Sequence, residues 1–185
     1  MKKILILYGT RYGSTKEVCS RIAEILENKG LNPMVLNFEN IKSKKNLVLE
    51  EYDGLLLASG IKVGKMTKET RNFIEENAEF LRTTSKPFGL FVSSGMASSP
   101  DKIPNLRKKY IEDFLKEYRI KPDLYDVFGG IIDLSKDSDL GFLSKKMVNM
   151  VSKQDPNIKA DQKNDLRDWG QIQGFVNKFG DLIKN

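Results

Sequence analysis

Five apolar runs punctuate this chain, and segments with helical spacing of apolar residues alternate with them. The runs fall at 3–8, 33–38, 52–60, 87–93 and 124–132, and the helical patterns at 14–29, 67–81, 104–119, 139–152 and 168–183. A strand that is apolar at nearly every position is covered on both faces, because a solvated face would impose alternation. Such strands interleaved with amphipathic helices predict an α/β fold. The expected architecture is a doubly wound, three-layer arrangement around a five-stranded parallel sheet, in the order 2-1-3-4-5. The 185 residues contain no repeat and no low-complexity tract, so one domain over 1–185 is expected. Lys29-Gly30 reads as the stop of the first helix. The segments 39–51 and 153–168 read as the loosest parts.

An open parallel sheet binds ligands beyond the C-terminal ends of its strands. That rule selects Gly9–Thr15 after the first strand, Ser59–Lys65 after the third and Ser93–Ser98 after the fourth. All three are rich in Gly, Ser and Thr, and small residues let a flat ring approach the backbone. The first is the most informative. Ile4-Leu5-Ile6-Leu7-Tyr8 ends at Gly9 and passes through Thr10-Arg11-Tyr12-Gly13-Ser14-Thr15 into a helix. Free N–H groups at a helix start form an anion site, and the hydroxyls add donors, so a phosphate is the natural guest. The same residues also suit a plain helix start, with Gly13 turning and Ser14 or Thr15 capping; the two readings are compatible. The spacing excludes the common nucleotide loops. Gly9 and Gly13 enclose three residues rather than four, and Ser14 stands where a P-loop needs Lys. No second glycine follows Gly9 at the dinucleotide spacing.

The chain has no histidine, which removes the Ser-His-Asp triad, most catalytic zinc sites and the commonest general base. Its one cysteine, Cys19, falls on the apolar face of the first helix with Val18, Ile22 and Leu26, and reads as a buried small hydrophobe. Lys and Arg number 31 against 25 acids, a formal charge of +6 that favours anionic partners. The denser groups, Lys42/Lys44/Lys45 and Arg107/Lys108/Lys109, are short and read as solvated faces. No aromatic-and-basic stripe points to nucleic acid. The N-terminal apolar run is too short for a signal peptide or a span, so a cytoplasmic location is expected. Leu140, Leu143, Met147, Met150 and Val151 form an apolar face with Phe142, Lys145 and Lys146 beside it. Such a face either covers the sheet or lies peripherally on an anionic membrane.

The loops carry a family resemblance. Thr10-Arg11-Tyr12-Gly13-Ser14-Thr15 resembles the FMN phosphate loop of flavodoxins, T-x-x-G-x-T in outline. Ser59-Gly60-Ile61-Lys62-Val63-Gly64 resembles their second flavin loop, and Ser93-Ser94-Gly95-Met96 the third. GTRYGST, ASGIKVGK and the ending from Asp168-Trp169 to Phe179 are similar to the menaquinone-dependent protoporphyrinogen dehydrogenase branch of flavodoxin-domain proteins, nearly end to end. The resemblance implies FMN as cofactor. Thr10, Arg11, Gly13, Ser14 and Thr15 would hold its phosphate, with Tyr12 covering the ring or packing on the loop. Ser59, Gly60, Ile61, Lys62, Val63, Gly64, Ser93, Ser94 and Gly95 would flank the isoalloxazine ring. Chemistry then belongs to the flavin, and no catalytic acid or base is expected. Lys62 would either stabilise the reduced anion from the N1–O2 edge or be a solvated surface lysine. Ile61 and Met96 stand where acidic carriers place aromatic residues. The implied function is an FMN-dependent oxidoreductase moving electrons between a reduced donor and a quinone-like or porphyrinogen-type partner. The alternatives are an electron-transfer protein serving another redox protein, or an interaction domain without flavin. Oligomeric state is left open.

Overall fold

In the computed structural model, which describes residues 1–41, 47–135 and 155–185, strand β1 (Lys3–Gly9) runs through a parallel sheet between two neighbours. On one side lies β2 (Asn32–Asn37), and on the other β3 (Gly54–Lys62), followed by β5 (Phe88–Ser94) and β6 (Leu124–Gly129). All four pairings are parallel, and the order is β2-β1-β3-β5-β6. These five strands realise the expected order 2-1-3-4-5. A further short strand, β4 (Lys65–Met66), folds back antiparallel on the end of β3.

Continuous apolarity in the strands serves two cores. Leu5, Leu7, Leu55, Leu57, Leu90 and Val92 face one, under α2 (Lys68–Glu76), α3 (Ala78–Thr83) and the helical run through α4 (Ile103–Arg107) and α5 (Asp113–Glu117). Ile4, Ile6, Tyr8, Leu56, Ala58 and Phe91 face the other, under α1 (Ser14–Asn28) and α6 (Trp169–Lys184). The period-2 alternation of side chains assigns successive residues to opposite layers. Phe128 and Phe175 meet edge-on at 5.4 Å and anchor α6 to the sheet. Cys19 is fully buried in this second core, and burial pushes its thiol pKa up, leaving a small hydrophobe. Helix α1 stops at Lys29-Gly30 as expected, with the Leu31 amide reaching back to Leu26 O at 3.1 Å.

Several expected boundaries are corrected. The helix expected over 67–81 breaks at Asn77, whose Nδ2 donates to Phe73 O at 2.8 Å and competes for a helix carbonyl. The helix expected over 104–119 contains a π-helical turn at Lys108–Glu112. Arg107 is not merely solvated, since its Nε and Nη2 hold Asp126 Oδ1 at 2.8 and 2.7 Å. The strand expected over 124–132 leaves the sheet at Gly129. Its continuation, β7 (Ile131–Asp133), pairs antiparallel with β8 (Lys163–Asp165). The segment 155–168 is therefore held rather than loose. Asn164 stitches it internally by donating to Lys159 O and accepting from the Lys159 amide, at 2.8 and 2.7 Å. Ile132, Leu134 and Ile158 form a small core beneath it. The helix expected over 139–152, its apolar face and Lys42/Lys44/Lys45 lie outside the described residues.

Gly129 marks where the chain can leave the sheet. A Cβ there would lie 1.8 Å from the Leu166 carbonyl oxygen, a backbone atom that cannot turn aside. Gly129→Ala should therefore destabilise the protein by about 3 kcal/mol. Gly174→Ala, at a helical position with open space around it, should instead stabilise by about 0.5–1 kcal/mol. Urea unfolding of the two variants checks both signs.

Candidate functional site

Strand register builds the site. Gly9 pairs with Ser59, Gly60 with Ser93 and Ser94 with Gly129, so four strands end side by side. The chain leaves β1 toward β2 on one side and returns to β3 on the other. This makes the gap above β1 and β3 the topological switch point.

The first loop presents backbone rather than side chains. Gly13 is the residue before α1, in the left-handed region at φ 85°, and no side chain caps the helix. Thr10 Oγ1 accepts from the Gly13 amide at 3.1 Å and sets this turn. The first intrahelical bond runs from Glu17 N to Gly13 O at 3.2 Å, which leaves the amides of Ser14, Thr15 and Lys16 without an acceptor among the described residues. Three free amides at the positive end of a 15-residue helix suit a dianionic phosphate. The capping role expected for Ser14 or Thr15 is corrected. Ser14 Oγ instead lies 3.4 Å from Ser93 Oγ and accepts from the Ile131 amide at 3.3 Å, joining the first and third loops. Thr15 is buried, and a Cβ at Gly60 would crowd its Oγ1 at 3.3 Å, so the glycine eases the close passage of β3. Arg11 stacks over the Tyr12 ring at 5.2 Å, with both residues exposed.

The second loop is a hairpin. Ile61 pairs with Met66 and Lys62 with Lys65, and Val63 and Gly64 turn with φ 48° and 73°. Two consecutive positive φ values form the turn that matches strand twist. Ser59 is fully buried, accepting from the Thr67 amide and donating to Gly60 O, both at 2.9 Å. The Ser59 hydroxyl is thus engaged inside the protein, against its expected place beside a ring; it fixes the hairpin return and Thr67, the cap of α2. Lys62 and Val63 are exposed, with Gly64 at the tip. In the third loop Ser93 and Ser94 are buried. Ser94 Oγ accepts from Met96 N at 3.2 Å, and Ser94 O accepts from the Ala97 and Gly130 amides at 3.1 Å. Half-buried Gly95 lies against Ile132, so Gly60, Ile61 and Gly95 are the small or apolar surfaces flanking the gap.

Three contributors escaped the sequence reading. The Gly129-Gly130-Ile131 turn closes the site from β6, and its glycine pair was the only local signal. Thr67 was visible as a helix-start residue but not as the partner of Ser59. Asp155 had no local signal at all. It joins Ser98 and Lys102, with Lys102 Nζ at 2.5 Å, and clamps the third loop from 53 residues beyond that lysine. Behind this loop a cavity of about 430 Å³ opens between Ser99, Pro104 and Gln171. The groups that line the gap are hydroxyls and amides, which hold and orient a ligand rather than shuttle protons. Among the described residues no cluster of three or more His, Cys, Asp or Glu is placed to hold a metal.

Comparison with known proteins agrees with this geometry. The family model described as "Flavodoxin domain" matches residues 5–161. A curated Escherichia coli K12 protein named protoporphyrinogen IX dehydrogenase (quinone) is 24% identical over 181 residues, covering 97% of this chain and 96% of that protein. Among solved structures, an archaeal flavodoxin superposes with a TM-score of 0.53 at 15% identity, covering 99% of each chain. The rubredoxin oxygen:oxidoreductase of Desulfovibrio gigas gives 0.59 at 11% identity; it covers all of this chain, which spans 36% of that longer one.

The Asp155 clamp carries a pH signature. Burial pushes its carboxyl pKa up, but bonds from Lys102, Ser98 and the Asn157 amide outweigh burial and hold it at about 2. The folded value lies below the unfolded value of about 3.9, so the stabilisation is complete above that pH and is lost as pH falls toward 2. Asp155→Asn should remove about 2 kcal/mol at neutral pH and flatten the stability profile between about pH 4 and 2, as followed by urea midpoints.

Proposed function

The chain belongs to the flavodoxin domain family, and from that premise we propose that it is an FMN-dependent oxidoreductase within one domain, delivering electrons from a reduced donor to a quinone-like acceptor. FMN is the cofactor of this family. The observation that carries the reading is the start of α1, where no side chain caps the helix and the amides of Ser14, Thr15 and Lys16 have no acceptor among the described residues. When bound, FMN supplies the hydride and electron chemistry. The residues of this chain bind and orient it. Ser14, Thr15 and Lys16 would donate their amides to the phosphate, while Thr10 holds the Gly13 turn that aims them. Gly60 and Gly95 leave room for a flat ring, and the buried bonds of Ser59 and Ser94 keep the two flanking segments from closing on each other. Preorganised walls of this kind lower the ordering cost of binding.

Two features favour an enzyme over a dedicated carrier. The E. coli relative, matched over 97% of this chain, is by its name a quinone-linked dehydrogenase of protoporphyrinogen IX. The chain is also basic, with a formal charge of +6, which suits anionic compounds and surfaces better than basic protein partners. A porphyrinogen-type donor is the corresponding reading for the other half-reaction.

Added FMN should bind at one flavin per chain with quenched fluorescence, and the reduced protein should be reoxidised rapidly by a water-soluble quinone. Gly13→Ala should weaken FMN binding by about tenfold, because the turn no longer aligns amides on a charged acceptor. Absence of FMN binding by calorimetry would overturn the reading. Tight FMN binding without quinone turnover would instead identify an electron-transfer protein.

A further inference from the structure

We propose that the cavity behind the third loop is the seat of the electron acceptor and takes an uncharged, quinone-type ring. Its redox meaning rests on the oxidoreductase reading; the binding itself does not.

The cavity lies outside the gap above β1 and β3. Its volume of about 430 Å³ opens over the end of β6, the outermost strand, between α4 and the start of α6. Ala97 lines it and stands two residues beyond Gly95, so its backbone is within about 7 Å of a residue that flanks the gap. Ala97, Pro100, Ile103, Pro104 and Leu166 give the cavity apolar walls. A cavity of about 150 Å³ holds one benzene ring, so this one has room for two fused rings with substituents.

Three polar side chains of the lining are fixed from behind, each with one atom left over. Arg107 Nε and Nη2 hold Asp126 Oδ1 at 2.8 and 2.7 Å. Gln171 Nε2 donates to Asp126 Oδ2 at 3.1 Å and to Val127 O at 3.2 Å. Asp168 Oδ1 accepts from the Gly170 and Gln171 amides at 2.8 and 3.0 Å. Among the described residues, Arg107 Nη1 has no acceptor, and Gln171 Oε1 and Asp168 Oδ2 have no donor. Asp126, a buried carboxylate on an edge strand, therefore orients two groups of the lining. A π-helical turn starts at Lys108, the residue after Arg107; such turns are rare and frequently mark functional sites. One donor and two acceptors suit a quinone-type oxygen, which accepts hydrogen bonds when oxidised and donates one as a hydroxyl when reduced. Charge points the same way. Asp126 neutralises Arg107, and Asp168 stands at the positive end of α6, so neither an anion nor a cation is favoured.

The probe is 2,3-dimethyl-1,4-naphthoquinone, which is uncharged and does not add to thiols. Its binding to the full-length protein, with and without saturating FMN, is read from quenching of Trp169, the chain's one tryptophan and the neighbour of Asp168. Saturable one-to-one quenching is expected in both states. The anionic 1,4-naphthoquinone-2-sulfonate should bind about fivefold more weakly, because the lining leaves no cation unneutralised. Ser99 lines the cavity in extended backbone, and its side chain caps nothing. Ser99→Phe should fill the space and weaken binding by about tenfold or more, with the thermal midpoint unchanged. Arg107→Lys keeps a cation beside Asp126 but loses the guanidinium fork, and should weaken binding by about fivefold. Asp168→Asn keeps the cap of α6 and replaces a free acceptor by a donor. It should weaken the quinol, measured under argon, by about tenfold and leave the quinone unchanged, a split that a structural role would not produce. No saturable quenching overturns the proposal. So does binding that Ser99→Phe leaves intact, tighter binding of the sulfonate, or displacement of the quinone by FMN, which would put the ring in the gap. A protein that binds FMN and reduces soluble quinone without filling this cavity keeps the oxidoreductase reading and loses this one. Cavity binding in a protein that ignores FMN does the reverse.

Discussion

The register of the parallel ladder is the constraint from which the rest of this molecule follows. With Gly9 opposite Ser59, Gly60 opposite Ser93 and Ser94 opposite Gly129, every strand end that matters arrives at one level. The two cores enforce that register. Leu55 and Leu57 face one layer, and Leu56 and Ala58 face the other. A one-residue slip of β3 would exchange the two sets and break packing on both faces at once. A sheet buried on both sides therefore positions its loops far more strictly than a half-exposed sheet could.

That strictness changes what the polar residues at the edge can do. Ser14, Ser59, Ser93 and Ser94 look like ligand donors in a sequence, but buried hydroxyls satisfy their bonds internally. Here half-buried Ser14 ties the first loop to Ser93 and Ile131, Ser59 holds Thr67, and Ser94 holds Met96 within its own loop. What remains for a ligand is the backbone, chiefly the first amides of α1. A site made of amides is insensitive to rotamer choice and keeps its geometry before the ligand arrives. The price is that its integrity rests on turns, above all the left-handed Gly13.

Much of this was legible because the signals are local. Five apolar runs gave five strands, and the rule that ligands gather at strand ends picked out three loops that the ladder brings side by side. The interruptions had longer-range causes. The split at Asn77 comes from one side-chain amide competing for Phe73 O, which helical periodicity does not register. The strand expected through 132 stops at Gly129 because Leu166 crosses there, and β7 then pairs with a segment some thirty residues away. The Asp155 clamp on Ser98 and Lys102 is of the same kind. The hairpin at Val63-Gly64 was hidden for a different reason. Its turn uses a valine where the usual pattern has Asn or Asp, so the composition rule failed at a position where the backbone conformation is costly.

That failure separates two kinds of departure from ideal local structure. At Gly13 the left-handed conformation is carried by the residue best able to adopt it, so the turn before α1 holds no strain. At Val63 the same region of backbone space is carried by a poor residue, with a repulsive lysine pair directly beneath it. Strain at this exposed tip is not required by the two cores, neither of which includes Val63. The inner half of the edge is therefore relaxed and built from backbone, while the outer half is strained and built from side chains. The relaxed half, made of amides fixed by turns, suits a small anion held in a fixed cradle.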